Sequence, residues 1–117
     1  MRYENGDKYN GGFYNNMKNG EGVYYYKNGN IYAGEFLNNV RTGNGCFTYK
    51  KGKYTYFKGQ YLNNLKHGPG MLGFTNGDNV SGIWSSDKLK GGCIVYLKEY
   101  KRSFEANIVN GRITFVK

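Results

Sequence analysis

The sequence holds a single proline, Pro69, and only two alanines, Ala33 and Ala106. Collagen requires abundant proline and a glycine at every third position, and the 19 glycines here follow no such period. No amphipathic helix is legible either, because glycine interrupts every window of helical length. Two cysteines, Cys46 and Cys93, do not make a disulfide framework. One histidine, His67, leaves no Cys/His cluster for zinc, so no metal and no cofactor is expected. His67 itself reads as a structural residue, and no nucleophile–base pair stands at a spacing that suggests catalysis. The longest apolar run, Cys93 to Leu97, has strand length and falls far short of the ~20 residues that a membrane helix needs. The start, Met1 to Asn10, is polar and lacks the apolar core of a secretory signal. A reducing, cytoplasmic setting is therefore the expectation. Acidic residues are also scarce, 8 against 17 Lys and Arg, giving a formal net charge of +9. Such a balance favours anionic partners without selecting one.

What the chain has instead is glycine and aromatic rings, with Tyr 13 and Phe 7 and an aromatic fraction of 18%. Glycine with β-formers points to many short strands and tight turns. The rings recur in register. Tyr9-Asn10-Gly11-Gly12-Phe13 is followed by Gly20-Glu21-Gly22 and Asn28-Gly29. Tyr32-Ala33-Gly34-Glu35-Phe36, Gly43-Asn44-Gly45 and Lys51-Gly52 form a second copy. A third contains Phe57-Lys58-Gly59-Gln60-Tyr61, Gly68-Pro69-Gly70 and Asn76-Gly77. Val80-Ser81-Gly82-Ile83-Trp84 with Gly91-Gly92 is a fourth, and Phe104-Glu105-Ala106-Asn107-Ile108 with Asn110-Gly111 a degenerate fifth. The anchors Gly11, Gly34, Gly59, Gly82 and Ala106 are 23, 25, 23 and 24 residues apart. Internal repetition of this regularity defines a repeat architecture in one domain. The repeats are expected at 3–29, 30–52, 53–77 and 78–100, with a C-terminal cap at 101–117.

Each copy reads as a β-hairpin. Tyr32, Gly34 and Phe36 alternate with Ile31, Ala33 and Glu35, so the rings share one face. The second strand is expected at Val23 to Tyr26 and Cys46 to Tyr49, after a polar loop. Asn28-Gly29 and Asn76-Gly77 are the expected tight turns, and Ile108 to Ile113 around Asn110-Gly111 is a two-residue hairpin. Glycine weakens a strand unless something must lie close over it, and an aromatic ring lying flat on the backbone is the expected cause. In the fourth copy, aligning Gly92 with Gly20 puts Leu89 and Lys90 level with Met17 and Lys18 and implies a one-residue insertion; aligning Gly91 does not.

These motifs resemble the MORN (membrane occupation and recognition nexus) repeat, whose pattern is Tyr-x-Gly-Glu-aromatic, a polar segment, Gly-x-Gly, an aromatic strand and a turn ending in glycine. Tyr32 to Phe36 with Gly43-Asn44-Gly45 matches it closely, and Lys66-His67-Gly68-Pro69-Gly70 matches its frequent basic-His-Gly-x-Gly segment. The resemblance implies an all-β fold: an elongated, twisted, single-layer antiparallel sheet of tandem hairpins whose rings line a groove. It also implies a module that locates, dimerises or scaffolds rather than one that carries chemistry. At ~4.8 Å per strand, two strands per repeat make a rod of roughly 50 Å for five repeats.

Two sets of residues stand out as candidate binding elements. The ring row is Tyr9, Phe13, Tyr32, Phe36, Phe57, Tyr61 and Trp84, read either as core or as a groove for a protein partner. The basic row is Lys18, Arg41, Lys66 and Lys90, expected in the inter-strand loops as a ladder along one edge for anionic headgroups. Met17, Val40, Leu65 and Leu89 precede those bases, and Lys27, Lys50, Lys51, Lys98, Lys101 and Arg102 mark the opposite edge. Glu35 is expected to accept hydrogen bonds from a neighbouring turn, and Cys46 and Cys93 to lie too far apart to bridge. The functional expectation is a non-enzymatic scaffold that binds a protein partner, or a second copy of itself, in a cytoskeletal or membrane-apposed complex. The alternatives are peripheral binding to anionic phospholipids and an accessory region of a lipid kinase or SET-type methyltransferase. No recognition fold for nucleic acid is present.

Overall fold

A computed structural model of the chain describes residues 1–116; Lys117, the last residue of the expected cap, lies outside them. Ten strands follow one another: β1 Lys8–Tyr14, β2 Met17–Tyr25, β3 Ile31–Leu37, β4 Val40–Thr48, β5 Tyr54–Leu62, β6 Leu65–Phe74, β7 Asn79–Ser85, β8 Lys88–Leu97, β9 Arg102–Val109 and β10 Arg112–Phe115. They form one sheet in sequence order, each antiparallel to the next. The molecule measures 53 × 23 × 22 Å, the rod that strand spacing predicts.

Two kinds of turn alternate along it. Within a repeat the strands are joined by two residues, both with positive φ: Asn15 and Asn16 (51° and 63°), Asn38 and Asn39 (48° and 73°), Asn63 and Asn64 (48° and 71°), Ser86 and Asp87 (49° and 71°). This backbone matches the right-handed twist of a hairpin, and asparagine tolerates it better than other non-glycine residues. The expected polar loop is therefore absent. The second strand begins at Met17, six residues earlier than the sequence suggests, and the Gly-x-Gly segment lies inside it. Between repeats the chain turns through Asn28-Gly29 and Asn76-Gly77, where only the glycine has positive φ, 97° at Gly29 and 96° at Gly77. These are connecting turns rather than the tight ones. Tyr3–Asp7 folds as the same turn, with Tyr3 N–H donating to the Asp7 carbonyl at 2.9 Å, as Tyr26 does to Asn30 at 2.9 Å.

The register produces continuous columns across the sheet. Gly11, Gly22, Gly34, Gly45, Gly59, Gly70 and Gly82 pair in succession, and Cys93 and Ala106 complete the column. The rings of Tyr9, Tyr32 and Phe57 lie over this trough, as expected for glycine inside a strand. Tyr9 Oη donates to the Gly12 carbonyl at 2.9 Å, and Tyr32 Oη to that of Glu35 at 3.0 Å. A side chain at the trough would displace these rings.

The fourth copy carries no insertion. Trp84 pairs with Leu89 as Phe36 does with Arg41, and Gly91, with φ 67°, takes the place of Gly43, with φ 63°. Cys46 and Cys93 are both free and stand on strands four apart, which keeps them from bridging.

Candidate functional site

One face of the sheet carries the rings, and they form two parallel files. The first contains all seven of the sequence-predicted residues in one chain of edge-to-face contacts. Phe13–Tyr9, Tyr9–Phe36, Phe36–Tyr32, Tyr32–Tyr61, Tyr61–Phe57 and Phe57–Trp84 have centroids 5.1, 5.3, 5.2, 5.2, 5.7 and 5.0 Å apart. Each such pair contributes about 0.5–1.5 kcal/mol beyond its buried area. Tyr9, Tyr32, Phe36, Phe57, Tyr61 and Trp84 are buried, and Phe13, at the open end, is 44% exposed. This file is the hydrophobic core of a sheet that has no second layer.

The second file was not legible as a row. Tyr3–Tyr24, Tyr24–Tyr26, Tyr26–Phe47, Phe47–Tyr49, Tyr49–Tyr54 and Tyr54–Phe74 follow at 5.8, 4.7, 5.6, 4.8, 5.8 and 5.5 Å. All seven are half-buried: packed against the core on one side and open on the other. The signal for them was the alternation Tyr24/Tyr26, Phe47/Tyr49 and Leu72/Phe74 at the repeat spacing, which a search confined to the first-strand motif passes over.

Lys18, Arg41 and Lys66 do not sit in loops and do not line a solvent edge. Each stands two residues after a tight turn, so the alternation of the strand turns it onto the ring face. Lys18 Nζ lies 5.7 and 5.9 Å from the ring centres of Tyr9 and Phe36 in the first file and 5.3 and 5.6 Å from Tyr24 and Tyr3 in the second. The Arg41 guanidinium lies 5.1 Å from Tyr61, 5.6 Å from Tyr32 and 5.6 Å from Phe47. It also donates to the Asn64 carbonyl at 2.7 Å and to Tyr26 Oη at 3.3 Å. Lys66 Nζ lies 5.3 Å from Phe57 and 3.9 Å from an Asp87 carboxylate oxygen. Cations over desolvated rings gain more than exposed ones. Burial lowers the pKa of Lys18, and it raises those of Tyr61 and of Tyr32, the latter to about 12, with Arg41 opposing in both tyrosines. Lys90 is not in this row. It pairs with Ile83 and is exposed, and Leu89 occupies the fourth cationic position.

The same three residues clasp one repeat to the next. The N–H groups of Lys18, Arg41 and Lys66 each donate at 2.8 Å to the side-chain oxygen of the following repeat's turn residue, Asn39, Asn64 or Asp87. The turn N–H returns a bond of 3.0 Å to the carbonyl of the base. At the opposite edge Asp7, Asn30 and Asp78 accept from the N–H of Lys27, Lys50 and Lys98 at 2.7, 2.9 and 2.9 Å. Asp7 also accepts from Tyr24 Oη at 2.8 Å, and these bonds hold its carboxyl below the usual range. The stems of Lys27, Lys50 and Lys98 pack on Gly6, Gly29 and Gly77, leaving an exposed file of ammonium groups there. Glu35 accepts from Asn44 N–H at 2.6 Å, the backbone-accepting role expected of it, although the donor is a strand residue. Among the described residues no group of three or more His, Cys, Asp or Glu side chains is placed to hold a metal ion. No helix is long and apolar enough to cross a membrane.

Such an open sheet of clasped hairpins with one ring-bearing face defines a repeat-type binding module. The MORN repeat family model matches residues 9–31, 32–54 and 57–79, each span beginning on a first-file ring or, in the third, on Phe57 of that same file. The chain belongs to the MORN repeat family. No curated protein matches it.

Proposed function

We propose that this chain is a non-enzymatic scaffold that binds a protein partner on its ring-bearing face, within a cytoskeletal or membrane-apposed assembly. The observation that carries the reading is the second ring file, Tyr3 to Phe74, whose open sides face solvent along most of the rod. Aromatic rings held rigidly by packing lose little entropy on binding and are favoured at interface hot spots. The test is affinity capture with the wild-type chain and with a Tyr26→Ser/Tyr49→Ser variant, both checked for fold by circular dichroism. A partner held by the first and lost by the second supports the reading. A partner held equally by both, or a wild-type chain that captures nothing and stays monomeric in light scattering, overturns it.

A second reading, adsorption to anionic phospholipid, is favoured by a separate observation: the fixed file of Lys27, Lys50 and Lys98, with Lys51, Lys53, Lys101 and Arg102 nearby, all exposed. Each such residue adds about 1 kcal/mol near an anionic membrane. Sedimentation with phosphatidylserine vesicles would be lost in Lys27→Ser/Lys50→Ser/Lys98→Ser and kept in Lys18→Ser/Arg41→Ser/Lys66→Ser. The reverse pattern refutes this assignment of the edge.

A further inference from the structure

The clasp between repeats is broken once. Lys18, Arg41 and Lys66 each have an Asn or Asp oxygen to receive their N–H, but the residue that should serve Leu89 is Gly111, which has no side chain. The cation is missing at the same place, since Leu89 stands where the base should be and Ile113 follows in the next repeat. The ring column also fails there, with Leu72, Val80 and Val95 in positions held by rings in earlier repeats. A cavity of about 660 Å³ opens between the fourth and fifth hairpins as a result. Its floor is apolar: Leu72, Val80, Trp84, Leu89, Ile108 and Ile113. Its rim carries Asp87, Lys88 and Lys90. Asp87 is already bound to Lys66, through its N–H at 2.8 Å and its ammonium at 3.9 Å, and it forms the only ion pair among the described residues. The free charge at the rim is therefore positive.

We infer that this gap is the anchor site for a partner's peptide segment that bears an apolar side chain next to a carboxylate. The apolar side chain fills the floor. The carboxylate takes the place of the missing Asn or Asp oxygen at the Leu89 N–H and meets Lys88 and Lys90. A mostly apolar concavity with a few converging polar groups is the usual form of a binding pocket. Charge at the rim selects among apolar segments. The inference rests on the reading of this face as a protein-binding surface, and it says where on the face the partner is held and by what chemistry.

Two variants test it without disturbing the core. Gly111→Asn supplies the absent acceptor, and asparagine already occupies the equivalent turn position at φ 63–73° in Asn16, Asn39 and Asn64, where Gly111 has 76°. It should melt no lower than the wild type while closing the site. Lys88→Glu/Lys90→Glu reverses the rim on exposed residues. A library of random dodecapeptides displayed on phage is selected against the wild-type chain, and the recovered peptides are titrated by fluorescence anisotropy. The expected peptides carry Asp or Glu beside an aromatic or aliphatic residue. They should bind each variant at least about tenfold more weakly, and weaken as much when Asn or Gln replaces their acids. Selected peptides that bind both variants as well as the wild type, but lose binding with Tyr26→Ser/Tyr49→Ser, overturn the anchor site and leave the scaffold reading standing. No enrichment of any peptide overturns both. Self-association in light scattering that Gly111→Asn abolishes, with no peptide selected, overturns the inference by making a second copy the occupant. Binding of phosphatidylserine vesicles that Lys88→Glu/Lys90→Glu removes, with no peptide selected, overturns it in favour of a membrane.

Discussion

Adding one methyl group at Gly45 tests whether the rings fix the glycines. An ideal Cβ there would lie 2.5 Å from Tyr32 Cε1 and closer still to its hydroxyl, a separation that real Cβ atoms do not show. The ring has no free direction in which to retreat, since its edge contacts with Phe36 and Tyr61 and the bond from Oη to the Glu35 carbonyl hold it. Overpacking of this kind costs about 1–3 kcal/mol. Displacing the hydroxyl costs about 1 kcal/mol more. Reduced freedom of the unfolded chain offsets about 0.4–1 kcal/mol. Gly45→Ala should therefore destabilise by about 2–3 kcal/mol, or roughly 8–12 °C in Tm for a chain of this size. Gly92→Ala is the control: it lies in a strand of the same type, and its nearest neighbour to an added Cβ is Asn107 Oδ1 at 3.6 Å. It should be neutral or raise Tm slightly. Urea and thermal melts on both variants, with a Tyr32→Ala/Gly45→Ala double mutant, read the coupling directly. Removing the ring should relieve most of the methyl's penalty. The reasoning is refuted if Gly45→Ala melts with Gly92→Ala, or if the two substitutions at Tyr32 and Gly45 are additive.

Arg41→Met keeps the stem but removes the charge over three rings and the bond to the Asn64 carbonyl, and should cost about 2–3 kcal/mol in urea denaturation; an unchanged midpoint would make Arg41 a merely solvated cation. Asn39→Gly loses only the clasp to Lys18 N–H, about 1 kcal/mol, whereas Asn39→Ala also forces alanine to φ 73° and should cost about 1 kcal/mol more, an ordering that thermal melts decide. Tyr32, pushed up to about 12 from 10.0, stays protonated where the unfolded chain ionises, so its contribution is complete below pH 10 and lost as pH rises toward 12. Absorbance at 295 nm should show a late-titrating tyrosine that Tyr32→Phe removes. Asp7, lowered from 3.8, has the opposite sign: its contribution is present above that pH and lost as pH falls through the folded value, so Asp7→Asn should flatten the acid limb of the stability curve.

How much of the binding face was legible depends on turn length. The first ring file and its trough followed from the sequence, because Tyr32, Gly34 and Phe36 alternate within a single strand and need no knowledge of what precedes them. The basic row did not. A polar loop of unstated length leaves open the face on which Lys18 emerges, whereas a two-residue turn fixes it, since a shift of one residue moves a side chain to the other face. The Asn-Asn pairs that make that turn lie at the repeat spacing, but the Asn-Gly pairs drew the reading to the connecting turns instead. Lys90 failed for the same reason: its position was judged from the Gly91-Gly92 doublet, and the Ser86-Asp87 turn places Leu89 in the row.

The sequence by itself determined the repeat, its hairpin unit, the single antiparallel sheet and the length of the rod. These follow from local periodicity, strand rise and the need of a ring for bare backbone beneath it. Only the tertiary structure decided which surfaces remain for binding. Each Lys or Arg of the row meets rings from its own repeat and a turn residue of the next, about 21–23 positions away, and neither contact has a local sequence signature. Once those cations are spent on the ring face, the exposed charge is left at the connecting-turn edge. The open apolar volume is left where Leu89 and Gly111 fail to make the clasp.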